Sequence, residues 1–353
     1  MKSQPPPRRG PDPRRRTWSA FGDARRMPSE YEIVTHDTNY TSRKNRDSAL
    51  EQNPSSVGNL WLMTYRDQSP LTVDDWLGFR DPDAVTYRSY VTGQGHEETV
   101  VARILDDYAS SSRDQTLAPG WRATLATLFA PARFPLHGLQ MCTAYFGQIA
   151  PSSYITNCAA FGAADLLRAV SLVAYRTREL ERAFPELGFG KEERRLWEGH
   201  AAWQGTRKAI ELALGTYDWA ESFTAVNLVL RPTLDDVWLR QLGDVARTNG
   251  DDETWLLLSN LQLDARRCRR WSRALAAYAL QGRPENAGVF RKWIDKWAPR
   301  ADEAAAGLAT VLATMPERVG SEEEMRASAR RARAALLAEA GLDAPSRSSV
   351  SLG

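Results

Sequence analysis

Residues 152–183 read SSYITNCAAFGAADLLRAVSLVAYRTRELERA, a run that stays apolar on nearly every helical face until Arg176. A helix apolar all round either sits inside a large bundle or crosses a membrane. Tyr154 to Tyr175 has about the length of a span, yet Asn157, Asp165 and Arg168 interrupt it. Charge at membrane depth is costly, so the stretch reads as the central helix of a bundle, with no membrane.

A second stretch sets the opposite face of that bundle. Residues 252–281 read DETWLLLSNLQLDARRCRRWSRALAAYALQ. Leu257, Leu258, Leu261, Ala265, Cys268 and Leu275 recur at steps of three and four, while Arg266, Arg267, Arg269, Arg270 and Arg273 fall largely outside the stripe. This is a core-facing helix with a basic outer surface.

Outward from these two, helical periodicity runs from about Glu97 to residue 340. Helices are expected near 97–109, 121–130, 138–149, 191–214, 216–230, 233–247, 285–297, 300–313 and 321–340. Pro119-Gly120, Pro131, Pro135, Pro151, Pro185, Arg231-Pro232, Asn249-Gly250 and Arg283-Pro284 mark breaks between them. Ser321 followed by Glu324 is a capping-box pattern, and Gly341 a stop. The fold class is all-α. Residues 28–96 read instead as an extended, aromatic-rich arm. Asn53-Pro54, Ser69-Pro70 and Asp81-Pro82 favour turn or extended backbone. Trp61, Tyr65, Trp76, Phe79, Tyr87 and Tyr90 nevertheless need burial, on the chain's own body or on a partner. Residues 1–27 form a Pro/Arg-rich tail read as disordered. The domain reading is tail 1–27, arm 28–96, helical domain 97–318, and C-terminal helix and tail 319–353.

Composition narrows the function classes. With 46 basic and 44 acidic side chains the net charge is +2, so nothing draws the chain as a whole toward nucleic acid. Three cysteines (Cys142, Cys158, Cys268) fit neither a disulfide framework nor a zinc motif and point to the cytoplasm. The first residues lack the apolar run of a signal peptide. Twelve tryptophans suggest large packed surfaces, some shared with another chain.

Catalytic motifs are absent. There is no phosphate-binding G-x-x-x-x-G-K-[ST], no G-x-S-x-G elbow and no GxGxxG. His96-Glu97 opens like a zincin helix, but Val100 stands where the second His belongs. A helical bundle could hold two irons on a pair of Glu-x-x-His motifs. The residues three before His36, His96, His137 and His200 are Ile33, Gly93, Phe134 and Trp197, so no such motif exists.

Several segments together resemble the hydroxylase β subunits of toluene, aromatic and alkene multicomponent monooxygenases. They are Pro28-Ser29-Glu30-Tyr31-Glu32-Ile33-Val34, the run Asp74 to Asp83 (DDWLGFRDPD), Thr86-Tyr87-Arg88-Ser89-Tyr90, His137 to Met141 (HGLQM) and Ala150-Pro151-Ser152-Ser153. The resemblance spans about Thr17 to Trp297. It implies a ferritin-like bundle with extra helices, related to the iron-bearing α subunit but without its ligands. Asp165-Leu166-Leu167-Arg168-Ala169 is similar to the α-subunit segment Asp-Glu-Leu-Arg-His, and Asp264-Ala265-Arg266-Arg267-Cys268 to its Asp-Glu-Ala-Arg-His. Leu166, Ala169, Ala265 and Cys268 thus stand in the four ligand slots, and are expected in one dry layer between two packed helices.

The resemblance further implies a structural subunit with no catalytic residue and no metal of its own. The di-iron centre would lie in the α partner, and a γ subunit would complete each of two protomers. An effector protein and a ferredoxin would dock on that assembly, which would oxidise an aromatic or alkene with O₂ and NADH-derived electrons. Trp76, Phe79, Arg80 and Asp81 are the expected subunit contact. The alternative is a stand-alone helical binding protein that grips an acidic partner with its basic tail; such a grip would be salt-sensitive and non-specific.

Overall fold

A computed structural model of the chain describes residues 27–41, 53, 55–111 and 113–342. The basic tail, apart from Met27, and the last residues from 343 lie outside these. Among the described residues the chain is helical and forms no β-strand. Four helices come from the arm and its junction with the body: α1 (Glu30–Thr35), α2 (Val57–Tyr65), α3 (Tyr87–Ala109) and α4 (Pro119–Thr124). The body continues with α5 (Arg133–Ile149), α6 (Ser153–Ala183), α7 (Glu193–Gly199) and α8 (Ala201–Leu214). A long rod follows, made of α9 (Trp219–Phe223), α10 (Arg231–Asp235) and α11 (Leu242–Thr248) joined by π-helical turns. The remaining helices are α12 (Asp252–Gly282), α13 (Asn286–Leu312) and α14 (Glu322–Glu339).

The hairpin α5–α6 and the hairpin of the rod with α12 form a four-element bundle, α6 lying on α12 and α5 on the rod. The most apolar window of α6 is only half buried, and Leu167 and Tyr175 are exposed. The expectation of a fully central helix is corrected on this point: one face of α6 packs inward, and the other is left exposed among the described residues. On the flank, α13 runs along α8 at backbone distance. A Cβ on Gly307 would stand 2.4 Å from the Ala202 carbonyl oxygen, and one on Gly205 2.7 Å from that of Glu303. Glycine is what permits this approach.

Several boundaries differ from the sequence reading for physical reasons. The helix expected from residue 97 begins at Tyr87, where Thr86 and Ser89 form a capping box. Only Val101 and Leu105 are buried along α3, so almost no apolar periodicity announces it. The expected break at Arg231-Pro232 does not occur. Thr224–Leu230 is π-helical, and the Arg231 N–H bonds the Val226 carbonyl five residues back, so Pro232 falls in a first turn where its missing donor is not needed. Pro299 likewise lies inside α13, joining the two helices expected at 285–297 and 300–313. The capping box of Ser321 with Glu324 and the positive φ of Gly341 are as the sequence indicates.

The arm packs on the chain's own body. Trp61 donates its ring N–H to Tyr145 Oη at 2.9 Å, and Tyr145 donates to the Tyr217 carbonyl at 2.7 Å. Trp76 meets Trp219 edge-on with centroids 5.1 Å apart. The arm is also more helical than expected, since α1 and α2 lie within it.

Candidate functional site

Two matched motifs face each other across the α6–α12 contact, Asp165-x-x-Arg168 and Asp264-x-x-Arg267, and they exchange partners. Arg168 Nη1 lies 2.8 Å from Asp264 Oδ2, while Arg267 Nη2 pairs with Asp165 Oδ1 and stands 3.4 Å from Asp264 Oδ1. Two residues three apart on one helix project from the same side within a turn, so each motif can offer an acid and a base to the other. From α3, Gln94 Nε2 donates to Asp264 at 2.8 Å and to Asp165 at 3.2 Å, and Tyr90 Oη donates to Asp165 at 3.0 Å. The Tyr90 ring stacks on Phe161, centroids 4.5 Å apart. Burial and the like charge of Asp264 push the Asp165 carboxyl up to about 6, against the pull of Arg267. Such a frame holds two helices in register.

The four candidate ligand positions lie next to this frame. Leu166, Ala169, Ala265 and Cys268 are all buried, each 5% exposed or less. The layer is not wholly apolar around Cys268. From the rod, Arg231 Nη1 reaches its Sγ at 2.8 Å, and Asn227 Nδ2 lies 3.6 Å from Sγ and 3.0 Å from Ser272 Oγ. Asn227 and Arg231 are four residues apart and so share one face of the rod. Burial opposes the Arg231 charge, but the nearby carboxylates of Asp235, Asp165 and Asp264 help to outweigh it and raise the pKa of the guanidinium. Burial pushes the Cys268 thiol up despite that neighbour, so it stands as a neutral thiol.

Sequence reading missed Asn227 and Arg231. Their signal is two polar residues at helical spacing inside the otherwise apolar run Phe223 to Leu230 and the proline after it. Trp76, Phe79, Arg80 and Asp81 are engaged with the chain's own body. Phe79 is buried against Tyr278. Asp81 is buried and accepts from the backbone N–H groups of Asp83 and Val85 at 3.0 and 3.2 Å. Arg80 pairs with Glu32 at 3.0 Å and lies over the Tyr154 ring at 3.9 Å. Arg80 is exposed and Trp76 half-buried. His96 is exposed on α3.

Residues 61–282 match the sequence model of the methane/phenol/alkene hydroxylases. The chain belongs to this hydroxylase family. It is 41% identical over 299 residues to the β subunit of the toluene-4-monooxygenase hydroxylase of Ectopseudomonas mendocina, covering 85% of this chain and 91% of that protein. It is 23% identical over 357 residues to the small subunit of the propane 2-monooxygenase hydroxylase of Mycolicibacterium smegmatis, covering 95% and 91%. Its fold matches a chain of toluene 4-monooxygenase solved with toluene in the resting active site, with a TM-score of 0.78 and 38% identity over 88% of this chain and 99% of that one.

Hydroxylases of this family use a di-iron centre, and the residues between α6 and α12 do not fit one. Of the four slots only Cys268 carries a donor atom, and a guanidinium occupies the space beside it. A fixed cation next to the site opposes a second one. Among the described residues no group of three or more His, Cys, Asp or Glu side chains is placed to hold a metal.

Proposed function

We propose that this chain is the non-catalytic β subunit of a multicomponent monooxygenase hydroxylase, acting on aromatic or alkene substrates in the cytoplasm. The di-iron centre would be held by its α partner. The observation that carries this reading is 41% identity across most of the chain to a toluene-4-monooxygenase hydroxylase β subunit, and the buried Leu166, Ala169, Ala265 and Cys268 support it, since they offer one thiol where a di-iron site needs carboxylates and histidines. The retained Asp/Arg frame then keeps the bundle in the shape a related, iron-bearing subunit would recognise, while the chemistry resides elsewhere. The assembly would contain α, β and γ chains in two protomers. An effector protein and a ferredoxin would dock on it and deliver NADH-derived electrons for O₂ activation.

A surface for such a partner is available. Val91 and Val100 of α3 and Leu167 and Tyr175 of α6 are exposed, and an apolar groove runs between these helices past Val101, Leu105 and Leu172. Exposed apolar surface of this kind marks protein contacts. In the arm, Arg80 and the edge of Trp76 keep the surface through which we place a further subunit contact. The test is expression of the chain alone and together with its α and γ partners. A soluble complex that oxidises toluene or an alkene only when α is present is expected. Turnover by the isolated chain would overturn the reading.

A further inference from the structure

About two turns beyond the Asp/Arg frame, toward the C-terminal end of α6, one buried arginine faces four carboxylates. Arg176 Nη2 lies 2.5 Å from Asp114 Oδ1 and 3.6 Å from Asp251 Oδ1. Its Nη1 lies 2.8 Å from Asp114 Oδ2, 2.9 Å from Glu253 Oε2 and 3.5 Å from Glu179 Oε2. The side chains of Arg176, Asp251 and Glu253 are 1%, 2% and 5% exposed, so water screens little of the repulsion among the acids. Asp251 has further support: it caps α12 through the Thr254 N–H at 3.0 Å and accepts from Trp121 Nε1 at 2.9 Å. Asp114 takes the guanidinium in a bidentate pair. Glu253 and Glu179 share what remains, a single Nη1, which holds their two carboxyl groups side by side. Three buried atoms of the cluster, Glu253 Oε1, Glu179 Oε2 and Arg176 Nε, have no hydrogen-bond partner. The other titratable groups facing the cluster are Asp252 on α12, Arg113 beside Asp114, and Tyr108 at the end of α3.

We propose that Glu253 and Glu179 form a proton-binding site, with one proton held between the two carboxyl groups at neutral pH. The proton turns a repulsive pair into a hydrogen bond from Glu253 to Glu179 and leaves Arg176 facing one fewer charge. Burial pushes the Glu253 carboxyl up to about 8, with Glu179 and Asp114 adding to the shift against the pull of Arg176. The folded chain therefore binds a proton that the unfolded chain has already lost between the ordinary glutamate range and about 8. Stability contributed here is full in acid, falls as pH rises through that window and levels off above it. The site joins α6, the N-terminus of α12 and the turn at Arg113–Thr116, so alkaline loosening should start at this end of the bundle. The inference is independent of the subunit assignment.

The test compares the full chain, in the assembly in which it purifies, with its Glu253→Gln variant. Glutamine keeps the donor to Glu179 and cannot ionise. The unfolding equilibrium constant of the wild type relative to the variant should rise about tenfold per pH unit between pH 6 and 8. Glu179→Gln should flatten the same dependence, and Glu181→Gln, on the exposed side, should leave it intact. Parallel curves for wild type and Glu253→Gln would overturn the proposal. Infrared spectroscopy on the wild type decides the matter even if the variants fail to fold. A protonated-carboxyl stretch present at pH 7 and titrating away in mild alkali supports the site, and no such band at pH 7 rules it out.

Discussion

Two parts of the α6–α12 contact lie within a helical turn of each other and differ completely in what they retain. In the frame, Asp165, Arg168, Asp264 and Arg267 keep a reciprocal set of ion pairs, joined by Tyr90 and Gln94 from α3. In the adjoining slots, Leu166, Ala169 and Ala265 are apolar, Cys268 is a neutral thiol, and Arg231 fills the space beside it. The contrast separates two demands that a metal-bearing bundle must meet together. Register between helices needs the frame. Under the proposed reading, chemistry needs the slots, and a subunit whose partner holds the iron is free to fill them with side chains that bind no metal.

The largest effect should follow from breaking the frame. Arg168→Leu leaves the Asp264 carboxylate buried without its main partner and should cost about 3–5 kcal/mol in chemical denaturation. A loss near zero would mean that the frame does not hold the two helices. Next comes the slot itself. Leu166→Glu places a carboxylate in a closed site with no metal and should destabilise by several kcal/mol, whereas Leu166→Met should cost under about 1.5 kcal/mol. Equal costs for the two would show that the slot is open to water. Arg231→Met tests whether the guanidinium beside Cys268 is needed for the fold. Its charge is held by carboxylates that would stay behind, so an apolar chain of similar length should destabilise by on the order of a few kcal/mol, and a neutral or stabilising change would show that the guanidinium is dispensable. The smallest effect is expected at the chain's start: deletion of residues 1–16 should leave assembly and turnover unchanged, as tails tolerate truncation best. Loss of the subunit complex would make that tail a clamp.

Much of this contrast was legible in the sequence. The apolar run of α6 and the two-sided pattern of α12 name both helices, but Arg267, read as part of a basic outer surface, turns instead to Asp165 on α6. The sequence was less informative wherever a residue's usual meaning depends on backbone context. Pro232 reads as a break, but a π-helical turn ahead of it removes the need for its N–H. The first ten residues of α3 carry no apolar stripe because the helix buries almost nothing, so period alone could not find them. Arg231 was overlooked because it belongs to neither motif; it approaches Cys268 from a third helix, a relation visible only in three dimensions. The proton site was hidden for the same reason. Asp114, Arg176, Glu179, Asp251 and Glu253 are unremarkable surface-type residues until three separate elements bring them together.

The central claim, that this chain supports an iron-bearing partner and binds no iron itself, is tested most directly by metal analysis. The chain is purified without its partners, incubated with ferrous iron under anaerobic conditions, desalted and measured by plasma mass spectrometry. The account predicts well under about 0.1 iron per chain, since one thiol beside a guanidinium cannot replace the carboxylates and histidines of a di-iron site. About two irons per chain, bound through desalting, would contradict it.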